Sequence, residues 1–269
     1  MRKKKTGPIG VFDSGIGGLT VMKEIMKVLP EEDLIYLGDT ARLPYGNKSP
    51  ATIIRYSLEA THFLLDKHIK LLVVACNTAS AFSLKTLEER FRIPIVGVIQ
   101  PGARRAAEAT RTGRIGVIGT EGTVKSGAYL KAIRQIAPGA QVFSQPCPLF
   151  VPIVEEGLSE KGIAQSTADF YLKGLKKYGI DILVLGCTHY PLLKPVIRKT
   201  LGSRVTLVDS ARETAREVLR SLTKNQLRDS RRSEGGGRLF YVTDYPERFQ
   251  SVGEKFLGKK LGKVIEVGI

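Results

Sequence analysis

Two cysteines stand just after apolar stretches of this 269-residue sequence, in places where strands are predicted to end. Cys76 follows Leu71–Ala75, and Cys187 follows Ile182–Leu185. A thiol has a pKa of about 8.5, which neighbouring groups can tune for acid or base work. Inverting a chiral carbon beside a carboxylate needs a base on one face and an acid on the other, and these roles exchange in the reverse reaction. Two similar thiols therefore predict proton transfer at such a carbon.

Polar residues flank both cysteines. Asp13 and Ser14 end the first predicted strand, and His189 lies two residues after Cys187. We expect the carboxylate and the imidazole to carry the proton to and from sulfur. Side chains and backbone amides at helix starts are expected to bind substrate carboxylates and stabilise an enediolate; they belong to Asn77, Thr78, Thr120 and Thr188.

Strand and helix patterns alternate along the whole chain, which predicts parallel sheets built from βαβ units. The predicted strands are Ile9–Phe12, Leu34–Leu37, Leu71–Ala75, Ile93–Val98, Arg114–Gly119, Asp181–Gly186, Val205–Val208 and Lys263–Val267. Helices are predicted at Leu19–Leu29, from Ser49, after Pro101, at Val124–Ile136, from Pro191 and at Ala211–Leu222, with a surface loop at Ser230–Gly237.

A weak internal repeat relates the two cysteines. The segment from Ile9 resembles the segment from Ile115, 106 positions later, and the cysteines lie 111 positions apart in similar contexts. In open parallel sheets, ligands bind beyond the carboxyl ends of the strands. The predicted fold is therefore α/β, with two pseudo-symmetric parallel-sheet domains and an active site in the cleft between them.

The composition is that of a globular protein, with 42% hydrophobic and 25% charged residues. The apolar runs are far shorter than the roughly 20 residues needed to span a bilayer, so no membrane association is expected. No apolar signal segment follows the basic N-terminal residues, which predicts a cytoplasmic location. Three widely spaced cysteines predict free thiols there, because they form no disulfide framework.

The net charge of +16 raises nucleic-acid binding as an alternative. The basic residues are spread along the chain, and no zinc-finger or RNA-recognition signature accompanies them. We expect a solvated basic surface that attracts anionic metabolites. A DNA-related role beside an enzymatic one stays a weaker hypothesis.

Other types of site are less consistent with the sequence. Cys76, Cys187 and His189 could form a metal site, but the closely spaced ligand pairs of such sites are missing, so no metal is predicted. The run from Gly15 to Gly18 lacks the third glycine of a dinucleotide loop, and no cofactor is predicted. Cys147 has no counterpart in the sequence repeat, and a packing role is expected for it.

Four motifs in order, Phe12–Leu19, Tyr36–Gly46, Ala75–Ser80 and Gly186–Leu192, resemble the glutamate racemases of the aspartate/glutamate racemase superfamily. The resemblance implies interconversion of L- and D-glutamate without a cofactor, which supplies D-glutamate for peptidoglycan. It implies that Cys76 and Cys187 are the acid/base thiols, assisted by Asp13, His189, Asp39 and Glu155. The substrate contacts that it implies are Asp13, Ser14, Tyr45, Gly46, Asn77, Thr78, Thr120, Thr188 and His189.

The resemblance also implies a domain division and a homodimer. The first domain would comprise residues 1–98 with a returning segment, 208–269, and the second residues 99–207. An aspartate racemase or a related decarboxylase would share this fold and the strand-end cysteines. The residues around the two cysteines favour glutamate over aspartate as the substrate, although the shape of the pocket decides which length of substrate side chain fits.

Overall fold

The computed structural model describes residues 7–228 and 235–269, which fall into two compact units. The first unit contains the described residues of Met1–Val98 and Ala211–Ile269, and the second contains Ile99–Ser210. The segment that returns to the first unit begins at Ala211 rather than at position 208, because the preceding strand, Thr206–Asp209, pairs within the second sheet. Positions 230–234 of the predicted loop Ser230–Gly237 lie outside the described residues.

Each unit has one parallel sheet. The strands are β1 (Ile9–Asp13), β2 (Leu34–Gly38), β3 (Leu71–Val74), β4 (Ile95–Gly97), β5 (Arg114–Gly119), β6 (Gln141–Pro146), β7 (Ile182–Gly186), β8 (Thr206–Asp209), β9 (Arg238–Val242) and β10 (Val264–Glu266). The first sheet has the order β10-β9-β2-β1-β3-β4, and the second has the order β6-β5-β7-β8. The predicted fold class, two parallel-sheet α/β domains, is confirmed.

Helices connect the strands. They are α1 (Leu19–Val28), α2 (Pro50–Asp66), α3 (Asn77–Arg90), α4 (Ile99–Ala109), α5 (Glu121–Lys125), α6 (Ala128–Ile136), α7 (Phe150–Glu155), α8 (Gly162–Lys176), α9 (Lys194–Leu201), α10 (Ser210–Lys224) and α11 (Pro246–Leu257). The prediction of one helix over Val124–Ile136 is wrong, because Gly127 adopts a left-handed φ of 64° and separates α5 from α6. Within residues 7–228 and 235–269, no helix is long and apolar enough to cross a bilayer.

The internal repeat is visible in the topology. The order β2-β1-β3-β4 in the first sheet matches β6-β5-β7-β8 in the second. Ile9 pairs with Leu71 where β1 meets β3, and Ile115 pairs with Ile182 where β5 meets β7. The two pairs keep the offsets of 106 and 111 residues seen in the sequence. Cys76 and Cys187 therefore occupy equivalent places, each just past the end of the corresponding strand.

Close backbone approach explains Gly18, which immediately precedes α1. A Cβ at Gly18 would lie 2.5 Å from Asp13 Cβ and 2.9 Å from the hydroxyl of Tyr36. Both neighbours are almost fully buried, so neither can move away easily. The absence of a side chain at Gly18 thus lets α1 start directly against the end of β1.

We expect Gly18→Ala to lower the free energy of unfolding by about 1–3 kcal/mol through overpacking. Gly174→Ala is the matched control, since nothing lies within 4 Å of a Cβ at that helical position. The control should stabilise the protein by about 0.5–1 kcal/mol, because alanine is the better helix former. Urea unfolding of both variants measures these changes, and equal stability of the two would contradict the packing argument.

Candidate active site

Cys76 joins β3 to α3 in the first unit. It caps the N-terminus of α3, where its Sγ accepts a hydrogen bond from the Ala79 amide at 3.4 Å. The preceding residue, Ala75, donates its amide to the Phe12 carbonyl at 2.8 Å, which ties this junction to the end of β1. Because a helix N-terminus favours negative charge, this position suits a thiolate. Asn77 and Thr78, the first two residues of α3, are buried beside it in sequence.

Asp13 ends β1 and is 1% exposed. Its Oδ2 accepts the Gly15 amide at 3.0 Å, and its carbonyl accepts the Asp39 amide at 3.0 Å. Burial raises the pKa of the Tyr36 phenol well above its usual value, and the charges of Asp13 and Cys76 raise it further. The phenol therefore keeps its proton, and its hydroxyl donates to the Gly15 carbonyl at 2.8 Å. Ser14, the next residue, is half-buried.

Asp39 follows β2, and its fully buried carboxylate collects three side-chain donors. Arg42 Nε lies 2.9 and 2.8 Å from the two oxygens, the Tyr45 hydroxyl donates to Oδ2, and Thr243 Oγ1 donates to Oδ1 at 2.9 Å. Burial raises the pKa of Tyr45, and the Asp39 charge raises it further, so the phenol keeps its proton as a donor. Asp39 thereby fixes the segment that carries Tyr45 and the half-buried Gly46.

The second unit presents Cys187 beside a histidine and a glutamate. Cys187 directly follows β7, and its Sγ lies 3.8 Å from Nδ1 of His189. The opposite ring nitrogen, Nε2, lies 2.9 Å from Oε1 of Glu155, the last residue of α7. Sulfur, imidazole and carboxylate thus form a continuous chain along which a proton can move.

The charge state of His189 follows from these contacts. Burial alone lowers the pKa of His189, but the hydrogen bonds to Cys187 and Glu155 and the charges of both groups raise it, to about 10. An imidazolium is therefore favoured near neutral pH. Thr188 Oγ1 lies 3.4 Å from the same Nδ1. The second unit can hold a proton next to the Cys187 sulfur.

Thr120 lies at the carboxyl end of a strand in the second unit. It caps α5 directly after β5, with its Oγ1 accepting the Thr123 amide at 3.2 Å. The structure thus brings Thr120 to the carboxyl end of β5, next to the strand that precedes Cys187. Its half-buried hydroxyl and the helix start suit an anionic group.

Cys147 corresponds to Asp39 in the structural repeat, although the sequence repeat showed no counterpart. The Cys147 amide donates to the Gly119 carbonyl at 2.9 Å, just as the Asp39 amide donates to Asp13. Its side chain is fully buried, and burial with the nearby Cys187 charge raises the pKa of the Cys147 thiol well above its usual range. Its carbonyl accepts the Tyr190 hydroxyl at 2.8 Å. Cys147 is therefore a buried, protonated thiol, and its carbonyl holds Tyr190, which lies three residues after Cys187.

The described residues contain no group of three or more His, Cys, Asp or Glu side chains that could hold a metal ion. Cys187 and Glu155 contact opposite nitrogens of His189, so these three do not converge on one point.

Two residues of the first unit that contact Asp39 were not predicted from the sequence. Arg42 lies inside the second motif, yet only the structure shows its guanidinium between Asp39, Glu59 and the Tyr56 ring, whose centroid is 4.1 Å away. Thr243 lies in the returning segment, where no sequence pattern pointed to the site. Its contact with Asp39 spans 204 residues of sequence.

Comparison with known proteins gives a consistent result. The Asp/Glu/hydantoin racemase family model matches residues 9–218. A glutamate racemase of Geobacter metallireducens is 59% identical over 261 residues, covering 97% of this chain and 96% of the relative.

Solved structures agree. A glutamate racemase isoform of Bacillus anthracis superposes with a TM-score of 0.95 at 41% identity, covering 98% of both chains. The Francisella tularensis glutamate racemase in complex with D-glutamate gives 0.91 at 40% identity, again with 98% of each chain covered. The extent and identity of these matches decide between the glutamate and aspartate alternatives: the chain belongs to the Asp/Glu/hydantoin racemase family, and within it to the glutamate racemases.

Proposed function

We propose that this enzyme interconverts L- and D-glutamate without a cofactor, using Cys76 and Cys187 as two acid/base thiols on opposite faces of the α-carbon. The observation that carries the proposal is the structural repeat. Two copies of one parallel fold each present a thiol at the same strand-end position, and each thiol has its own charge environment. Inversion at the α-carbon requires two bases, and the two thiols are proposed to supply them.

Glutamate is the proposed substrate because the relative from Francisella tularensis was crystallised with D-glutamate. Its carboxylates would bind at the starts of α3 and α5, where helix N-termini favour anions. The binding residues proposed from the resemblance are Asp13, Ser14, Tyr45, Gly46, Asn77, Thr78, Thr120, Thr188 and His189.

In the D-to-L direction, the Cys76 thiolate takes the α-proton of D-glutamate. The electron pair of the broken C–H bond moves into the adjacent carboxylate as an enediolate. The Cys187 thiol then returns a proton to the opposite face, which leaves Cys76 as a thiol and Cys187 as a thiolate. This end state is the starting state for L-glutamate, so the cycle needs no outside reductant or oxidant.

Different groups prepare the two thiols. In the first unit, the N-terminus of α3 supports the Cys76 thiolate, and Asp13 is proposed to exchange a proton with it. In the second unit, His189 shares a proton with Cys187, and Glu155 holds the imidazole in place. Asp39 is proposed to assist by orienting Tyr45.

The proposed biological role is the supply of D-glutamate for peptidoglycan, in the cytoplasm. Homodimer formation stays a prediction from the family resemblance. Nucleic-acid binding by the basic surface also stays a prediction.

Proton NMR in D₂O is the direct test of the reaction. With EDTA present and no cofactor added, the enzyme should remove the α-proton signal of L-glutamate while the optical rotation decays to zero. Exchange of the α-proton only after a metal or cofactor is supplied would overturn the cofactor-free proposal.

Each strand-end thiol should be indispensable. Cys76→Ala and Cys187→Ala should each lower kcat for racemisation by about 10³-fold or more in both directions, because either change removes the proton donor or acceptor on one face. Cys147→Ala is the matched control and should retain wild-type kcat, since that thiol is buried and stays protonated. Circular dichroism checks that all three variants are folded. Activity near wild type in either of the first two would refute the two-thiol mechanism.

The pH profile should report the His189–Glu155 contact. In the D-to-L direction, Cys187 and His189 together must hold one proton to deliver. Glu155 raises the pKa of His189, so Glu155→Gln should weaken the hold on that proton. The alkaline limb of the kcat/KM profile should move to lower pH by about one unit or more. Glu156→Gln, at the exposed next position, is the control. Coincident alkaline limbs for wild type and Glu155→Gln would contradict this role.

A further inference from the structure

We propose that the returning C-terminal segment positions the substrate loop, Thr40–Asn47, through Thr243, which makes Thr243 a positioning residue for glutamate binding. The inference rests on the proposed function, in which Tyr45 and Gly46 of this loop contact the substrate.

The hydroxyl of Thr243 connects the loop to the carboxylate that orients it. It accepts the Ala41 amide at 2.9 Å and donates to Asp39 Oδ1 at 2.9 Å. One hydroxyl thus holds the backbone of the loop and the Asp39 side chain at the same time. The Thr243 amide donates to the Gly38 carbonyl at 3.2 Å, which fixes Thr243 to the end of β2.

A second pair of contacts lies next to the first. The Asp244 amide donates to Thr40 Oγ1 at 2.9 Å, and the same hydroxyl donates to the Asp244 carbonyl at 2.5 Å. The returning segment therefore contacts the beginning of the substrate loop through two consecutive residues. Both contacts continue the pairing of β2 with β9 beyond the register pair Gly38 and Val242.

The effect reaches Tyr45 through Asp39. The carboxylate is fully buried, and its orientation is set by Arg42, Tyr45 and Thr243. Arg42 and Tyr45 belong to the loop itself, so they move with it. Thr243 is the donor that directly follows a sheet strand, and it fixes the loop relative to β2 and β9. Removing this donor should leave the loop folded but less well placed.

Thr243→Val is the test, because valine has nearly the shape of threonine and replaces only the hydroxyl, with a methyl group that cannot form hydrogen bonds. We expect KM for D- and L-glutamate to rise together by about tenfold, with kcat within about twofold of wild type, since a binding group is loosened and not a proton-transfer group. Thr243→Ser restores the hydroxyl and should restore KM. Thr40→Val removes the neighbouring contact and should raise KM by a smaller factor.

Thr61→Val is the control for lost stability, because the buried Thr61 hydroxyl donates only to a helix carbonyl, that of Ser57, at 2.6 Å. A purely structural effect would lower the active fraction, and hence kcat, without changing KM. Wild-type KM in both Thr243→Val and Thr40→Val would overturn the proposal, and the Thr40 variant keeps it testable if Thr243→Val does not fold. Absence of glutamate racemisation by the wild type would instead refute the proposed function.

Discussion

The parallel pairing of β1 with β3, and of β5 with β7, is the constraint on which the rest of the molecule depends. Parallel strands deliver their carboxyl ends to one edge of a sheet, and the helices after them begin at that edge. Asp13 and Cys76 lie at the same edge for this reason, since the Ala75 amide bonds to the carbonyl of Phe12, the residue before Asp13. The same pairing brings Thr120 and Cys187 to one edge in the second unit. Backbone hydrogen bonds between the strands thus position the reactive side chains, and these bonds form whichever side chains stand there.

The two copies of the fold differ in the segment that comes after the cysteine-bearing strand. After β3 the chain enters a helix of 14 residues, and the aligned peptide dipoles can support charge on Cys76. After β7, Thr188 and His189 separate Cys187 from the 3₁₀ turn Tyr190–Leu193, which continues into α9, so Cys187 does not cap the helical segment as Cys76 caps α3. The Cys187 sulfur instead contacts the His189 side chain, which Glu155 holds from its other ring nitrogen. Equivalent positions of the two sulfurs in the repeat therefore do not give them equivalent surroundings.

The features that depend on short stretches of sequence could be predicted. Short apolar runs ending at Cys76 and Cys187 sufficed to predict parallel strands, their carboxyl ends and the repeat. Sequence reasoning failed where distant segments meet. The equivalence of Cys147 and Asp39 is carried by backbone hydrogen bonds and not by similar residues, and the contact of Thr243 with Asp39 crosses 204 positions. The break at Gly127 was also missed. The apolar spacing continues through this position, but the left-handed φ of Gly127 interrupts the helix.

Asp39 and Cys147 occupy equivalent positions but differ in the strands beside them. A buried carboxylate is costly unless donors surround it, whereas a buried neutral thiol needs little compensation. In the first sheet, β9 pairs with the outer side of β2 and brings Thr243 to Asp39. In the second sheet, the equivalent strand β6 stands at the edge, and the residue after it is Cys147. The returning segment and the substrate loop are therefore linked through Asp39. The carboxylate that fixes Tyr45 is held by the residue after β9, and among the described residues the second sheet has no strand equivalent to β9.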